Sequence, residues 1–166
     1  MATANLRVGH GFDVHKFCVQ FDPNKPLVLA GLRLDENYSL EAHSDGDVIL
    51  HALCDGLLGA AAHGDIGEHF PDTDPSIQGI DSKKILHQVL QLLAGGGFTI
   101  VNIDITVVAQ VPKLSPNRQA MVDSLCLLTG LDRDRVNLKA TTTERMGYIG
   151  REEGIACHCV VLIERA

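Results

Sequence analysis

Arg7-Val8-Gly9-His10-Gly11-Phe12-Asp13-Val14-His15 stands near the start of the sequence, followed by His43-Ser44-Asp45-Gly46-Asp47 and then His51. The run from Leu6 to His15 reads as a strand. Side chains two apart lie on one face of a strand, so Arg7, Asp13 and His15 share one side. Leu6, Val8, His10, Phe12 and Val14 share the other. Asp13 and His15 can therefore reach one ion. His51 falls on a helix that the pattern starts at about Ser44, with Ser44 as N-cap and Asp47 at the third helical position. Two imidazoles and one carboxylate are a common catalytic zinc set, whose fourth position stays open for water or substrate. An Asp-x-His pair by itself also arises by chance, and the sequence does not show that the two segments meet.

Working outward, the helix runs to about Ala62 and is apolar on nearly all sides, which predicts burial on most of them. Residues 27–34 read as a second strand. Gly and Pro punctuation over 64–67 and 70–75 predicts a long loop without regular structure, of the kind that is functional or disordered. Asp81 caps a second helix with the stripe Ile85, Leu86, Val89, Leu90 and Leu93, and Gly95-Gly96-Gly97 ends it. Residues 98–110 alternate as a strand that puts Ile103, Ile105, Val107 and Ala109 on one face. Ser115-Pro116 starts a third helix, and Gly130 ends it. Residues 136–141 and 154–164 are the remaining strands. This order predicts one α+β domain over residues 1–166, with a mixed β-sheet and helices on one face. The apolar face of the first strand has no helix left to cover it, which favours an oligomer packed through the sheets.

Hydrophobic residues make up 45 % of the 166 positions and aromatics only 4 %, so the core is built from Leu, Ile, Val and Ala. A formal net charge of −7 argues against nucleic acid or an anionic membrane as partner. No apolar run reaches the length of a bilayer span, and residues 1–7 lack the basic start and apolar stretch of a secretory signal. The scattered Cys18, Cys54, Cys126, Cys157 and Cys159 suit a reducing cytosol. The expected location is cytoplasmic, or plastid if a transit peptide has been removed. Cys157 and Cys159 alternate onto one face with Ile155 and Val161, so they read as small core residues and not as a metal clip.

Other segments can carry chemistry. Thr141-Thr142-Thr143-Glu144 offers hydroxyls to phosphate oxygens and a carboxylate to a hard divalent cation, or is a Thr-rich turn. Lys113 can meet a phosphate or be merely solvated. Asp65, Asp72 and Asp74 are ordinary turn residues unless their loop folds over the metal. Taken alone, these residues describe a metal-assisted enzyme acting on a phosphorylated small molecule.

Those segments, together with His51-Ala52-Leu53, Gly64-Asp65-Ile66-Gly67, Phe70-Pro71-Asp72-Thr73-Asp74-Pro75, Ala109-Gln110-Val111-Pro112-Lys113 and Lys139-Ala140-Thr141-Thr142-Thr143-Glu144, occur in order along essentially the whole chain. In combination they resemble the 2-C-methyl-D-erythritol 2,4-cyclodiphosphate synthases of the non-mevalonate isoprenoid pathway. The resemblance implies a homotrimer with active sites between subunits, zinc (Zn2+) on Asp13, His15 and His51, and a second divalent ion (Mg2+ or Mn2+) on Glu144. It implies catalytic roles for His43 and Thr142. His43 and Ser44 would contact the substrate's phosphates at the helix start, where backbone N–H groups and the helix dipole favour anions. Asp65, Gly67 and Asp72 would line the methylerythritol part. Ala109, Pro112, Lys113, Leu114, Ala140, Thr141 and Thr142 would hold the cytidine diphosphate part, and Thr143, Tyr148 and Arg151 would also contact substrate.

The implied reaction is a lyase step in which the 2-phosphate of 4-diphosphocytidyl-2-C-methyl-D-erythritol 2-phosphate attacks the β-phosphorus and expels CMP. The chain departs from the family at Val111, Ser115, Glu152 and His158. His158 stands where some members place a Glu that pairs with the arginine matching Arg151, around an axial cavity that can take an isoprenoid diphosphate. A neutral imidazole there should leave the rim more positive. Two other readings stay open: a trimeric metal-binding or ligand-sensing protein that has lost activity, and a different metal-dependent phosphohydrolase that releases inorganic phosphate.

Overall fold

The computed structural model describes residues 5–71, 73 and 77–165. Four strands form one mixed sheet in the order β1-β6-β4-β5. They are β1 (Asn5–Lys16), β4 (Phe98–Val108), β5 (Val136–Thr141) and β6 (Gly154–Arg165). The β1–β6 and β6–β4 pairs are antiparallel, and β4–β5 is parallel. Three long helices, α1 (Val48–Ala61), α3 (Ser82–Gly95) and α4 (Arg118–Thr129), cover one face. Ile103, Ile105 and Val107 of β4 and Cys157, Cys159 and Val161 of β6 are buried beneath them, as the alternation predicts.

The opposite face is open. Leu6, Val8, Phe12 and Val14 of β1 and Val160 of β6 are exposed on it. The single turn α5 (Gly147–Gly150) packs against β6 with Ile149 buried, beside Phe12, Val108, Ala156 and His158. Helices thus cover one face, and one turn sits on the other. Among the described residues no helix is long and apolar enough to cross a membrane.

Three local expectations change. Residues 27–34 form a small hairpin, β2 (Val28–Leu29) and β3 (Leu32–Arg33), instead of one strand. The cause is Asp47, whose carboxylate accepts from Ala30 N at 3.0 Å and Gly31 N at 2.6 Å. Drawing in two successive N–H groups reverses the chain, with Ala30 and Gly31 at φ 54° and 75°. Asp47 is also the N-cap of α1, through Ile49 N and Leu50 N, so that role belongs to Asp47 and not Ser44. Burial pushes the Asp47 carboxyl up to about 6, and the N–H donors hold it from rising further, so it is ionised at neutral pH. Second, Asp65 caps a one-turn helix, α2 (Ile66–His69), within the stretch read as irregular. Third, α4 begins at Arg118 and not at Ser115-Pro116, because Asn117 N closes a turn onto Leu114 O at 3.0 Å.

The contact that organises the fold is α1 on β1. A Cβ on Gly11 would lie 1.8 Å from Ala52 O, and one on Gly9 1.9 Å from Gly56 O. The helix therefore rests on strand backbone, closer than any side chain permits. Gly9 and Gly11 share their face of β1 with Asp13 and His15, so the same approach brings those ligands to the helix. Gly11→Ala should cost about 2–3 kcal/mol, since only a backbone shift relieves the clash. It should also weaken metal retention. Thermal unfolding and metal analysis check both, and a variant with unchanged midpoint and metal content would disprove the close-approach argument.

Candidate metal centre and substrate cavities

Asp13 and His15 project from the covered face of β1, and His51 meets them from the first turn of α1. Asp13 Oδ2 lies 3.0 Å from His51 Nδ1 and 3.1 Å from His15 Nε2, and the two nitrogens are 3.0 Å apart. They are the one group of metal-type ligands of this size among the described residues. Two ligands on bonds of about 2.0–2.1 Å to one ion sit about 2.9–3.4 Å apart for angles between square and tetrahedral. All three separations fall in that window. Three acceptor-type atoms this close are not satisfied by the one or two protons they can share, and a divalent cation satisfies all three.

The surroundings prepare each ligand. Asp13 Oδ1 is tied to its neighbour by Val14 N at 2.9 Å, which leaves Oδ2 for the centre. Burial pushes the Asp13 carboxyl up, but the hydrogen bond to His51 and the charges of both imidazoles hold it below its usual range. Burial drives His15 down and outweighs the pull of Asp13, with His51 and Lys25 adding to the downward push. Burial also lowers His51, yet the hydrogen bond and charge of Asp13, with Asp47 and Asp45 behind, raise it above the ordinary imidazole value.

Behind His51 stands a relay that the sequence reading passed over. His51 Nε2 lies 2.9 Å from Ser82 Oγ and 3.1 Å from Ser44 Oγ. If Nδ1 held an ion, Nε2 would carry the proton and donate it to these hydroxyls. Ser82 is fully buried, and its hydroxyl donates in turn to Asp45 Oδ1, while Ser82 N donates to Asp45 Oδ2 at 3.0 Å. This His–Ser–Asp chain fixes the ring and its tautomer. Its sequence signal was thin: Asp45 lay in a quoted motif without a role, and Ser82 was hidden behind the cap at Asp81.

A cavity of about 220 Å³ opens on the centre, lined by Asp13, His15, His43, Ser44 and His51 and by an apolar wall that includes Ile66 and Phe70. His43 and Ser44 thus line the cavity beside the three ligands. The helix start is not a free anion site, however, because the Asp47 carboxylate already takes the N–H groups of Ile49 and Leu50. Asp65 and Gly67 belong to α2, where Asp65 caps Glu68 N at 2.9 Å, while its neighbours Ile66 and Phe70 do the lining. Asp55, one turn beyond His51, accepts from Ile66 N at 2.8 Å and holds that turn in place. Asp72 lies outside the described residues.

A second cavity, about 260 Å³, is lined by Ala109, Gln110, Pro112, Lys113, Leu114, Ser115, Ala140, Thr141 and Thr142. It gathers all seven residues expected around a cytidine diphosphate. It lies at the β4–β5 edge, whereas the metal centre lies at the β1 edge. The two cavities share no residue. Glu144 has φ 51° and accepts from Thr142 Oγ1 at 3.2 Å, on the side of the second cavity. Thr143 and Tyr148 line a third hollow with Phe12 and His158. Arg151 donates to Glu153 at 2.6 Å, and the ring neighbours of His158 are His10 and Phe12.

The YgbB family profile matches residues 6–164. The 2-C-methyl-D-erythritol 2,4-cyclodiphosphate synthase of Nitrosococcus oceani is 54 % identical over 158 residues, covering 95 % of this chain and 98 % of that one. The synthase of the same name from Ectopseudomonas mendocina is 50 % identical over 161 residues, covering 97 % of this chain and 100 % of its own. Among solved structures, IspF of Plasmodium falciparum in complex with CDP superposes with a TM-score of 0.84 at 32 % identity, covering 99 % of both chains. Bifunctional IspDF of Campylobacter jejuni matches at a TM-score of 0.91 and 44 % identity over 99 % of this chain, which spans 43 % of that longer protein.

Ser82→Ala should leave the fold intact and weaken metal binding about 10- to 100-fold, because His51 loses the partner that orients it. Competition with a chelator measures this. Unchanged affinity would mean that Ser44 alone holds the ring.

Proposed function

The chain belongs to the YgbB family, and we infer from this membership and from its cavities that it is a 2-C-methyl-D-erythritol 2,4-cyclodiphosphate synthase of isoprenoid precursor biosynthesis. It converts 4-diphosphocytidyl-2-C-methyl-D-erythritol 2-phosphate to the 2,4-cyclodiphosphate and CMP. An oxygen of the 2-phosphate forms a bond to the β-phosphorus, and the bond from that phosphorus to the oxygen of the departing CMP breaks. No water and no covalent enzyme intermediate are required, which accords with a site that offers carboxylates, imidazoles and hydroxyls but no activated nucleophile.

Asp13, His15 and His51 hold zinc in this reading, and Glu144 holds Mg2+ or Mn2+; when bound, these ions neutralise the facing phosphates and orient attacker and leaving group. His43 and Ser44 hold the phosphate beside the triad. Lys113 and the Thr141-Thr142 hydroxyls take the diphosphate of the cytidine half, and Thr142 and His43 stabilise the charge that develops in transfer. Asp65, Gly67 and Asp72 take the methylerythritol part, with Thr143, Tyr148 and Arg151 as further contacts.

The observation that carries the reading is the separation of the two cavities. The core of one subunit stands between the triad at the β1 edge and the nucleotide cavity at the β5 edge. A substrate that uses both must bridge two copies of the chain. The exposed apolar face of β1 and β6 supplies a contact for a homotrimer. The apolar hollow at Phe12, Val108, Ile149 and Ala156 suits the hydrocarbon part of an isoprenoid diphosphate in an axial cavity. The reading places the protein in the cytoplasm.

Phosphorus NMR on the authentic substrate tests the activity: a cyclic diphosphate signal with stoichiometric CMP is expected. Inorganic phosphate would identify a phosphohydrolase, and bound substrate without turnover a binding protein. His51→Ala should abolish turnover with strongly reduced zinc in a folded trimer. Glu144→Gln should lose turnover across a magnesium titration while keeping its zinc. Full zinc occupancy in the first variant, or normal activity in the second, would remove the respective assignment.

A further inference from the structure

One pair of metal-type ligands stands apart from both catalytic cavities. His10 lies on the open face of β1 and His158 on the open face of β6, and both are exposed in the single chain, on the face that carries the proposed trimer contact. Register places Phe12 opposite His158 and Val160 opposite His10, so the two imidazoles are diagonal neighbours on adjacent strands. His10 Nε2 is 3.2 Å from His158 Nδ1, with ring centroids 5.4 Å apart and planes tilted by 31°. The Phe12 ring backs His158 at 4.7 Å between centroids.

We propose that His10 and His158 form a second transition-metal site, for a borderline cation such as Cu2+, Ni2+ or Zn2+, independent of the Asp13–His15–His51 centre. The 3.2 Å separation falls within the span of about 2.9–3.4 Å for two nitrogens bound to one ion. It also matches the ligand separations of the catalytic triad in the same chain. Both side chains stand on hydrogen-bonded strands in the middle of their runs, so chelation needs ring rotation and no backbone movement. Phe12 restrains the His158 ring, which lowers the ordering cost of binding.

The chemistry selects the class of ion. Two neutral imidazoles suit Cu2+, Ni2+ and Zn2+ and are poor ligands for Mg2+ or Ca2+. Without an ion, one ring donates its N–H to the other. Binding requires both facing nitrogens to be bare, so His10 carries its proton on Nδ1 and His158 on Nε2; the donor ring moves its proton to its far nitrogen, and none is lost. Among the described residues no carboxylate completes the pair, so it binds more weakly than the triad and leaves coordination positions open. Strand alternation keeps the sites separate: Asp13 and His15 point to the helix-covered face, whereas His10 and His158 point to the open one.

The test uses the zinc-loaded, full-length protein at neutral pH, titrated with Cu2+ and followed by electron paramagnetic resonance and calorimetry. One Cu2+ per chain is expected, with nitrogen hyperfine structure from two imidazoles, and elemental analysis should find the original zinc retained. His158→Gln and His10→Gln should each weaken that binding about tenfold or more and lose the two-nitrogen signature, while the triad keeps its zinc. Two variants are specified so that a folding defect in one does not decide the matter. Equal Cu2+ binding in wild type and both variants, or binding only with displacement of the zinc, would overturn the proposal. So would no binding at all, since the contact would then be a hydrogen bond between rings.

Discussion

The approach of α1 to β1 at Gly9 and Gly11 is the constraint on which the rest of the structure depends. A helix normally stands off a sheet by the length of the side chains between them. Here Ala52 O and Gly56 lie against strand backbone, because two alternate positions carry no Cβ. The next two positions on that face are Asp13 and His15, and the neighbouring helix residue is His51. The ligand triangle is therefore a by-product of packing. Asp47 secures the arrangement from the other side, joining the start of α1 to the β2–β3 turn through buried hydrogen bonds. An unmet N–H in so dry a place costs about 1–3 kcal/mol, so the carboxylate is held there even though burial disfavours its charge.

In the proposed reading, the sheet order explains why one chain would not be enough. β1 and β5 are the two edges, and each carries half of the chemistry: imidazoles and a carboxylate at one, hydroxyls, Lys113 and Glu144 at the other. The helices pack their hydrophobic core between them. The face that could bring two copies together is the one the helices leave bare, with Leu6, Val8, Phe12, Val14 and Val160 exposed in a contiguous strand pair. An apolar patch of that kind on an isolated domain marks an interaction surface. In the proposed trimer, assembly would bury it and complete the site in one step, which would link activity to association.

Much of this was legible in the residues. Period-two alternation gave β1, β4, β5 and β6 and the correct inward faces, and the Asp-x-His pair with His51 gave the triad. The failures share a cause. Ser44 and Asp47 are both good caps by type, and only the three-dimensional position of Ala30 and Gly31 decides that Asp47 serves. Residues 27–34 look like one strand because Gly31 is the only local sign of a turn; the acceptor that bends them is in another segment. The role of Ser82 likewise depends on the distant Asp45 and His51. Local pattern shows what an element buries, whereas a side chain that bridges segments has no signature until the chain is folded.

The occupied helix start bears on how an acidic chain handles a polyanionic substrate. With a net charge of −7, the protein repels such a molecule at long range. The N-terminus of α1 lies beside the triad, yet its N–H groups at Ile49 and Leu50 are committed to Asp47. That commits the backbone donors at the start of α1 before any phosphate arrives. Neutralisation there is left to a cation on the triad, to the side chains of His43 and Ser44, and to Lys25, whose ammonium is bonded to Ala42 O in the strap that carries both. At the other edge the proposed reading leaves it to Lys113 and to an ion that Glu144 would hold. A site built this way has little affinity for its substrate without metal, because each fixed charge nearest the triad other than Lys25 is an acid or an imidazole. Substrate binding and metal binding should therefore be strongly cooperative, and by linkage the substrate should tighten the metal as much as the metal tightens the substrate. Isothermal titration of a non-reacting cytidine diphosphate ligand, with and without bound divalent ion, measures that coupling, and equal affinities in both states would show that the protein alone neutralises the phosphates.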